Sequence, residues 1–295
     1  DIPLFLDEEV FSIKTAEVKS PHDKTLNLGH FSISSESDIK RAIEVTLNAA
    51  KEWRTWSIEE RAKIFIKAAT LLSTEYRSIL NAATMLGQSK NVYQSEIDAI
   101  CELCDFWRFQ AYYSLNLYKH MELISPNGVL NQFEYRPLEG FVYAISPFNF
   151  TSLAANLATA PALMGNVVIW KPASTAMLSA YYVMKILKKA GLPPGVITLV
   201  SGDSRQISNI VMSHKYFAGI HFTGSTVVFN GLWSTIANNL NQGIYKNYPR
   251  IVGETGGKDF VLAYKDTDLE SLCTALIRGA YEYQGQKCSA ASRAY

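Results

Sequence analysis

The sequence has 295 residues, 48% of them hydrophobic and 19% charged, and 28 Lys and Arg against 27 Asp and Glu leave a formal net charge of +1. A chain of this size and make-up buries a large core as one large domain or two, and is not disordered. The balanced charge leaves no electrostatic footprint for nucleic acid or an anionic membrane surface, and no apolar run approaches the roughly 20 residues that span a bilayer.

The opening "DIPLFLDEEV" is acidic, starts without Met and carries no signal-peptide pattern. The first third reads as helical. Ile39, Ala42, Ile43, Leu47 and Ala50 recur at helical spacing. At 57–60 "SIEE" forms a capping box in which Ser57 caps and Glu60 reaches back, and Ala62, Phe65, Ala68, Ala69 and Leu72 follow with the same period. "EIDAICELCDFWRFQAYY" predicts a helix with Ile97, Ile100, Cys101, Cys104 and Trp107 on one face. The Cys101–Cys104 pair then reads as core packing rather than metal or redox chemistry, and four cysteines in so long a chain make no disulfide framework. Near 128, "GVLNQFEYRPLEG" turns β-rich.

From 141 strands and helices alternate. "FVYAIS" precedes a small-residue helix over 151–164 that Pro161 interrupts. "NVVIW" precedes a helix over 175–190 that stops at Gly191. "VITLVS", a helix near 204–213, "GIHFT", a helix near 226–238, "RIVGE" and "DFVLAY" follow. Short apolar strands separated by helices mean a mostly parallel sheet covered on both faces, an α/β fold that places ligands at the carboxyl ends of its strands.

Several residues at those ends do not look like packing. Asn149 reads either as a local helix-entry cap or as an amide donor for an oxyanion. Lys171 reads as a solvated strand end or a nucleotide-ribose contact. Gly224 and Ser225 open a helix whose N-terminus suits a phosphate, although "GSTVVFNG" is not the G-x-G-x-x-G fingerprint and "GETGGK" is not a P-loop. Glu254 lies among glycines that allow close approach of backbone or ligand, and reads as a strand end or a base.

The last helix carries Leu269, Leu272, Cys273, Leu276, Ile277, Ala280 and Tyr281 on an apolar face, capped near Thr267 and ended by Gly285. Cys288 lies beyond it in "YEYQGQKCSAASRAY", where "CSAASRAY" can start another helix. A thiol there is an incidental small residue or a nucleophile. A helix N-terminus and the adjacent Lys287 would favour its thiolate. A nucleophile, a carboxylate and an amide donor at neighbouring ends of a nucleotide-type sheet predict oxidative acyl transfer.

"SPFNF", "WKP", "FTGS", "GETGGKDF" and "YQGQKCSA" stand in the order and approximate spacing of the aldehyde dehydrogenase superfamily, which the chain resembles over essentially its whole length. "SPFNFTS", "APALMGNVVIWKPAST" and "EYQGQKCSAASR" are most similar to the branch that oxidises glutamate γ-semialdehyde, in equilibrium with delta-1-pyrroline-5-carboxylate, to glutamate in proline catabolism. The resemblance implies a doubly wound, mostly parallel nucleotide-binding sheet. Residues 1–127 would be a helical part of the cofactor domain, 128–253 the NAD-binding α/β domain and 254–295 the start of a catalytic domain. It implies Cys288 as nucleophile, Asn149 with the Cys288 backbone N–H as oxyanion donors, and Glu254 as the base for water. Ser146 and Lys171 would hold the adenosine ribose side of NAD, and Gly224, Ser225 and Phe229 would line the pyrophosphate and adenine region. Phe150 would pack on the substrate chain, Glu102 would meet the substrate amino group, and Ser289 would lie on the substrate side. No metal, nucleic acid or membrane is implied, only a small aldehyde and NAD.

The "TVV" at 226–228 departs from the family pattern. The resemblance also implies a parent about twice this length, a homo-oligomer. Its second NAD-ribose carboxylate, substrate-carboxylate anchor and oligomerisation strands would lie beyond Tyr295. Its home would be the mitochondrial matrix in a eukaryote or the cytoplasm in a bacterium. The rival readings are another semialdehyde dehydrogenase and a catalytically silent binding protein on the same fold. The presence of Cys288, Glu254 and Asn149 together argues against the second.

Overall fold

A computed structural model describes residues 1–119 and 123–295. The chain opens with four short strands, β1 (Leu4–Phe5), β2 (Glu9–Val10), β3 (Thr15–Lys19) and β4 (Asn27–Ser32). The helical reading of the first third missed them: β1 and β2 have two residues each, and the polar sequences of β3, "TAEVK", and β4, "NLGHFS", carry no clear apolar alternation. Helices α1 (Glu36–Trp53), α2 (Ile58–Ser73), α3 (Arg77–Gln88) and α4 (Val92–Ser95) follow. The capping box before α2 forms as expected: the Ser57 N–H donates to Glu60 Oε2 at 2.7 Å and the Glu60 N–H to Ser57 Oγ at 3.2 Å. Between α4 and α5 (Glu102–Lys119) lies a π-helical turn, Glu96–Cys101. Its wider winding shifts the buried face. Ser95, Ala99 and Ile100 turn inward with Cys104 and Trp107, while Ile97 and Cys101 turn out to solvent. The expected packing of Cys101 is thereby corrected.

Residues 128–138 form no strand, contrary to their composition; Val129, Leu130 and Phe133 are exposed there. The alternation beyond them is as read, except that the helix over 151–163 runs through Pro161 without interruption. It comprises β5 (Phe141–Ile145), α6 (Thr151–Leu163), β6 (Val167–Lys171), α7 (Met177–Ala190), β7 (Ile197–Leu199), α8 (Ser204–Met212), β8 (Phe217–Thr223), α9 (Thr226–Asn241) and β9 (Arg250–Glu254). Gly191 ends α7 in the left-handed region, φ 105°, where a side chain would be strained. The seven-stranded sheet has the order β2-β1-β7-β6-β5-β8-β9. β5 to β9 are parallel, and β1 joins antiparallel to β7 through Phe5 and Leu199. From β5 the chain moves one way to β6 and β7, then returns to the other side of β5 for β8 and β9. Right-handed crossovers then require helices on both faces; accordingly α6 packs with α7, and α1 with α8. The strands are nearly continuous apolar runs, and Phe141, Tyr143, Val167, Ile169 and Trp170 are fully buried.

The final segment departs from expectation in three ways. "DFVLAY" yields only β10 (Phe260–Val261), which pairs with β11 (Arg293–Ala294) in a small parallel sheet apart from the large one. Helix α10 (Leu269–Tyr281) is capped by Asp268, not Thr267, and none of its residues is buried, Cys273 included. It ends at Tyr281. Residues 282–285 then make a tight turn in which Tyr283 and Gln284 hold left-handed φ of 53° and 52°. No helix begins at Cys288.

Candidate active site

Parallel pairing brings the strand ends level. Ile145 sits opposite Lys171 and Phe222, and Thr223 opposite Glu254. Ser146, Lys171, Gly224 and Glu254 therefore leave the sheet on one edge, beside the switch point at β5 where α/β sheets open a crevice. The loop after Glu254 runs against Cys288. A Cβ on Gly257 would lie 1.9 Å from the Cys288 carbonyl oxygen, so only glycine fits. Residues 253–260 together with Cys288 and Ser289 line a cleft of about 690 Å³.

The thiol is not activated in the way expected. Cys288 heads no helix, and the Lys287 ammonium points away, to Asp98 at 3.3 Å and Glu282 at 3.5 Å. Burial and the neighbouring Glu254 carboxylate push the thiol pKa up, opposed by the backbone N–H groups of Ser289 and of Cys288 itself. The same carboxylate is placed to take a proton from the thiol or from water.

Asn149 is not a helix cap: Phe150 occupies the N-cap of α6, with no side-chain cap bond. The Asn149 amide instead donates to the Gln286 carbonyl at 2.7 Å, two residues ahead of Cys288. That bond fixes the amide's orientation and leaves Oδ1 buried without a partner. One N–H of the amide remains for another acceptor. Phe150 is buried, with the Lys90 ammonium 4.2 Å from its ring centre. Glu102 Oε2 accepts from the Ser152 hydroxyl, and burial, then Asp98, pushes its carboxyl up. Ser289 is exposed in the cleft beside Cys288.

The expected cofactor residues divide into two kinds. Lys171 is buried, its ammonium has no hydrogen-bond partner among the described residues, and burial pushes its pKa down against the pull of Asp203. A buried ammonium without a hydrogen-bonding partner at a strand's carboxyl end fits a ribose or phosphate ligand. Ser146 is buried and accepts from the Trp170 indole at 2.9 Å, keeping its own O–H to donate. Ser225 caps α9 through the Val228 N–H, and Gly224 approaches the Phe222 ring too closely for a Cβ. Phe229 is engaged in packing: it stacks on Phe222 at 5.5 Å and abuts Gly253.

Two residues absent from the sequence reading join this site. Lys90 and Asp98 form a buried ion pair at 2.9 Å, and Lys90 also donates to the Asn149 carbonyl at 2.6 Å. Nothing in "GQSKN" distinguishes Lys90 from an ordinary loop lysine.

The model of the "Aldehyde dehydrogenase family" matches residues 9–295. A curated relative from Schizosaccharomyces pombe, named probable delta-1-pyrroline-5-carboxylate dehydrogenase, is 48% identical over 295 residues, covering 100% of this chain and 54% of its own length. The human protein named mitochondrial delta-1-pyrroline-5-carboxylate dehydrogenase is 46% identical over 98% of this chain and 51% of its own. The crystal structure of the Mycobacterium tuberculosis delta-pyrroline-5-carboxylate dehydrogenase bound with NAD superimposes with a TM-score of 0.96 at 50% identity, covering 100% of this chain and 55% of that one. The chain thus spans about half the length of the curated relatives it matches.

Proposed function

The chain belongs to the aldehyde dehydrogenase family, and from that premise we propose that its parent protein oxidises glutamate γ-semialdehyde to glutamate with NAD, in proline catabolism. The observation that carries the reading is the meeting of Glu254 with Cys288 across Gly257, while Asn149 is tied to the same segment at Gln286.

The Cys288 sulfur adds to the aldehyde carbon as its proton passes to Glu254 or water. The developing oxyanion takes N–H bonds from the Asn149 amide and the Cys288 backbone, and one such donor contributes about 3 kcal/mol to the transition state. NAD, when bound, supplies the hydride acceptor. Lys171 and Ser146 hold its ribose side, and Gly224 and Ser225 face its pyrophosphate. The thioester left on Cys288 is hydrolysed by water that Glu254 deprotonates. Phe150, Glu102 and Ser289 form the substrate side. Residues 1–127 and 128–253 make up the cofactor domain, and 254–295 begin the catalytic one. The parent is a homo-oligomer, mitochondrial in a eukaryote and cytoplasmic in a bacterium.

The test is a comparison of glutamate γ-semialdehyde with succinate semialdehyde on the full-length parent. The expected result is a higher kcat/KM for the former. The reverse preference overturns the substrate, and no NADH from either aldehyde overturns the dehydrogenase reading.

A further inference from the structure

We propose that Lys90 is a positioning residue for the oxyanion site: its buried ammonium holds the Asn149–Phe150 turn directly and the Lys287–Cys288 segment through Asp98. The inference rests on the aldehyde-oxidation reading above, and concerns residues that this reading does not use.

The side chain of Lys90 is fully shielded from water, and that of Asp98 nearly so. A buried ammonium is costly unless charge and hydrogen bonds surround it. Lys90 has both. It meets Asp98 at 2.9 Å, donates to the Asn149 carbonyl at 2.6 Å, and lies over the rings of Phe150 at 4.2 Å and Tyr283 at 4.6 Å. The backbone aims it there. Ser89, just before it, ends α3 in the left-handed region with φ 57°, which turns the chain into the interior.

The partners of Lys90 belong to two separate parts of the oxyanion site. Asn149 and Phe150 enter from the end of β5, whereas Tyr283 and Lys287 come from the segment that carries Cys288. Asp98 Oδ2 faces both ammonium groups, Lys90 at 2.9 Å and Lys287 at 3.3 Å. One carboxylate therefore clamps the lysine behind Asn149 to the lysine beside Cys288. A hydrophobic side chain of similar volume would fill the space but would hold neither the Asn149 carbonyl nor Asp98. The oxyanion needs the Asn149 amide and the Cys288 N–H at one point, and a shift of about 1 Å between such groups is enough to cost on the order of a hundredfold in rate.

The test uses the full-length parent and three readouts: the first-turnover rate per active site at saturating semialdehyde, KM, and the rate of Cys288 alkylation by iodoacetamide. Alkylation builds no oxyanion, so it separates positioning from general disorder. Lys90→Met is expected to lower the first-turnover rate by roughly ten- to a hundredfold, with KM changed by less than about threefold and alkylation within about twofold of wild type. Asp98→Asn keeps the volume, weakens the clamp and shifts the first-turnover rate in the same direction. The double variant is expected to be little worse than Lys90→Met, because the two residues act as one unit. First-turnover rates within about twofold of wild type in both single variants overturn the inference. So does a fall in alkylation that tracks the fall in turnover. Should Lys90→Met fail to fold, Asp98→Asn decides alone, and an unchanged rate overturns the proposal. A wild-type parent that turns over neither aldehyde rejects the underlying reading instead.

Discussion

A carboxylate beside a thiol disfavours the thiolate, because the two anions repel. At Cys288 burial and Glu254 act together in that sense. Glu254→Gln removes the charge and keeps the shape, so it should move two observables in opposite directions. Alkylation of Cys288 near neutral pH should quicken, with the midpoint of its pH profile lowered. Steady-state turnover should slow by roughly a hundred- to ten-thousandfold, as thioester hydrolysis loses its base. Slower alkylation in the variant would mean that Glu254 promotes the thiolate by accepting its proton. Cys104, pushed up to about 11 by burial, should stay unlabelled in both proteins. At this scale Asn149 and Glu254 stood out in the sequence as polar side chains at strand ends, and Cys288 as a thiol in a small, polar stretch beyond a helix, all out of keeping with packing. Lys90 and Asp98 were not, since a buried ion pair looks in sequence like two ordinary surface charges. The expected helix-terminus activation of Cys288 failed for a local reason: the left-handed turn at Tyr283 and Gln284 ends the helical segment, and Cys288 follows in a second turn, where the Ala290 N–H donates to the Lys287 carbonyl at 3.1 Å.

Elements with strong local signals were read well. The "SIEE" capping box announced α2, Gly191 announced the end of α7, and four- to six-residue apolar runs separated by helices announced the parallel sheet. Weak or displaced signals failed. The π-helical turn before α5 rotated a face whose sequence period is an ordinary helical one, and residues 128–138 have β composition without a partner strand among the described residues. The loop joining β9 to β10 supplies a prediction at this level. In Gly257→Ala the new methyl would stand 1.9 Å from the Cys288 carbonyl oxygen, a backbone atom that cannot swing aside. The two segments must separate, with a loss of about 1–3 kcal/mol in stability. Turnover by the full-length parent should drop at least tenfold, as for misplaced reacting groups, while NAD affinity measured by calorimetry changes little, since Lys171 and Ser146 lie on other strands. Wild-type turnover in the variant would show that the β9 loop does not set the position of Cys288.

Across the whole molecule the core is unevenly distributed. Residues 1–119 and 141–245 contain nearly all the buried side chains, whereas α10 has none and exposes Leu269, Ile277 and Tyr281. Backbone hydrogen bonds near exposed apolar surface open easily. Amide exchange of residues 1–295 alone should accordingly be slow in β5, β6 and β8 and fast throughout α10 and β11. In the full-length parent, given the length of the relatives, α10 should be protected by at least tenfold more, as a helix whose apolar face is covered. Equal exchange of α10 in both proteins would mean that its face stays open to solvent in the complete protein.

The bond from Asn149 to Gln286 spans 137 residues, and the groups that surround Cys288 — Lys90, Asp98, Asn149 and Glu254 — all precede it in the chain. A ribosome therefore makes these groups first and the Cys288 thiol after them. N-terminal parts of a protein fold while the remainder is still being made, so the sheet and the Lys90–Asp98 pair have time to assemble before the thiol emerges. The growing chain receives that thiol only after the residues that surround it have been made.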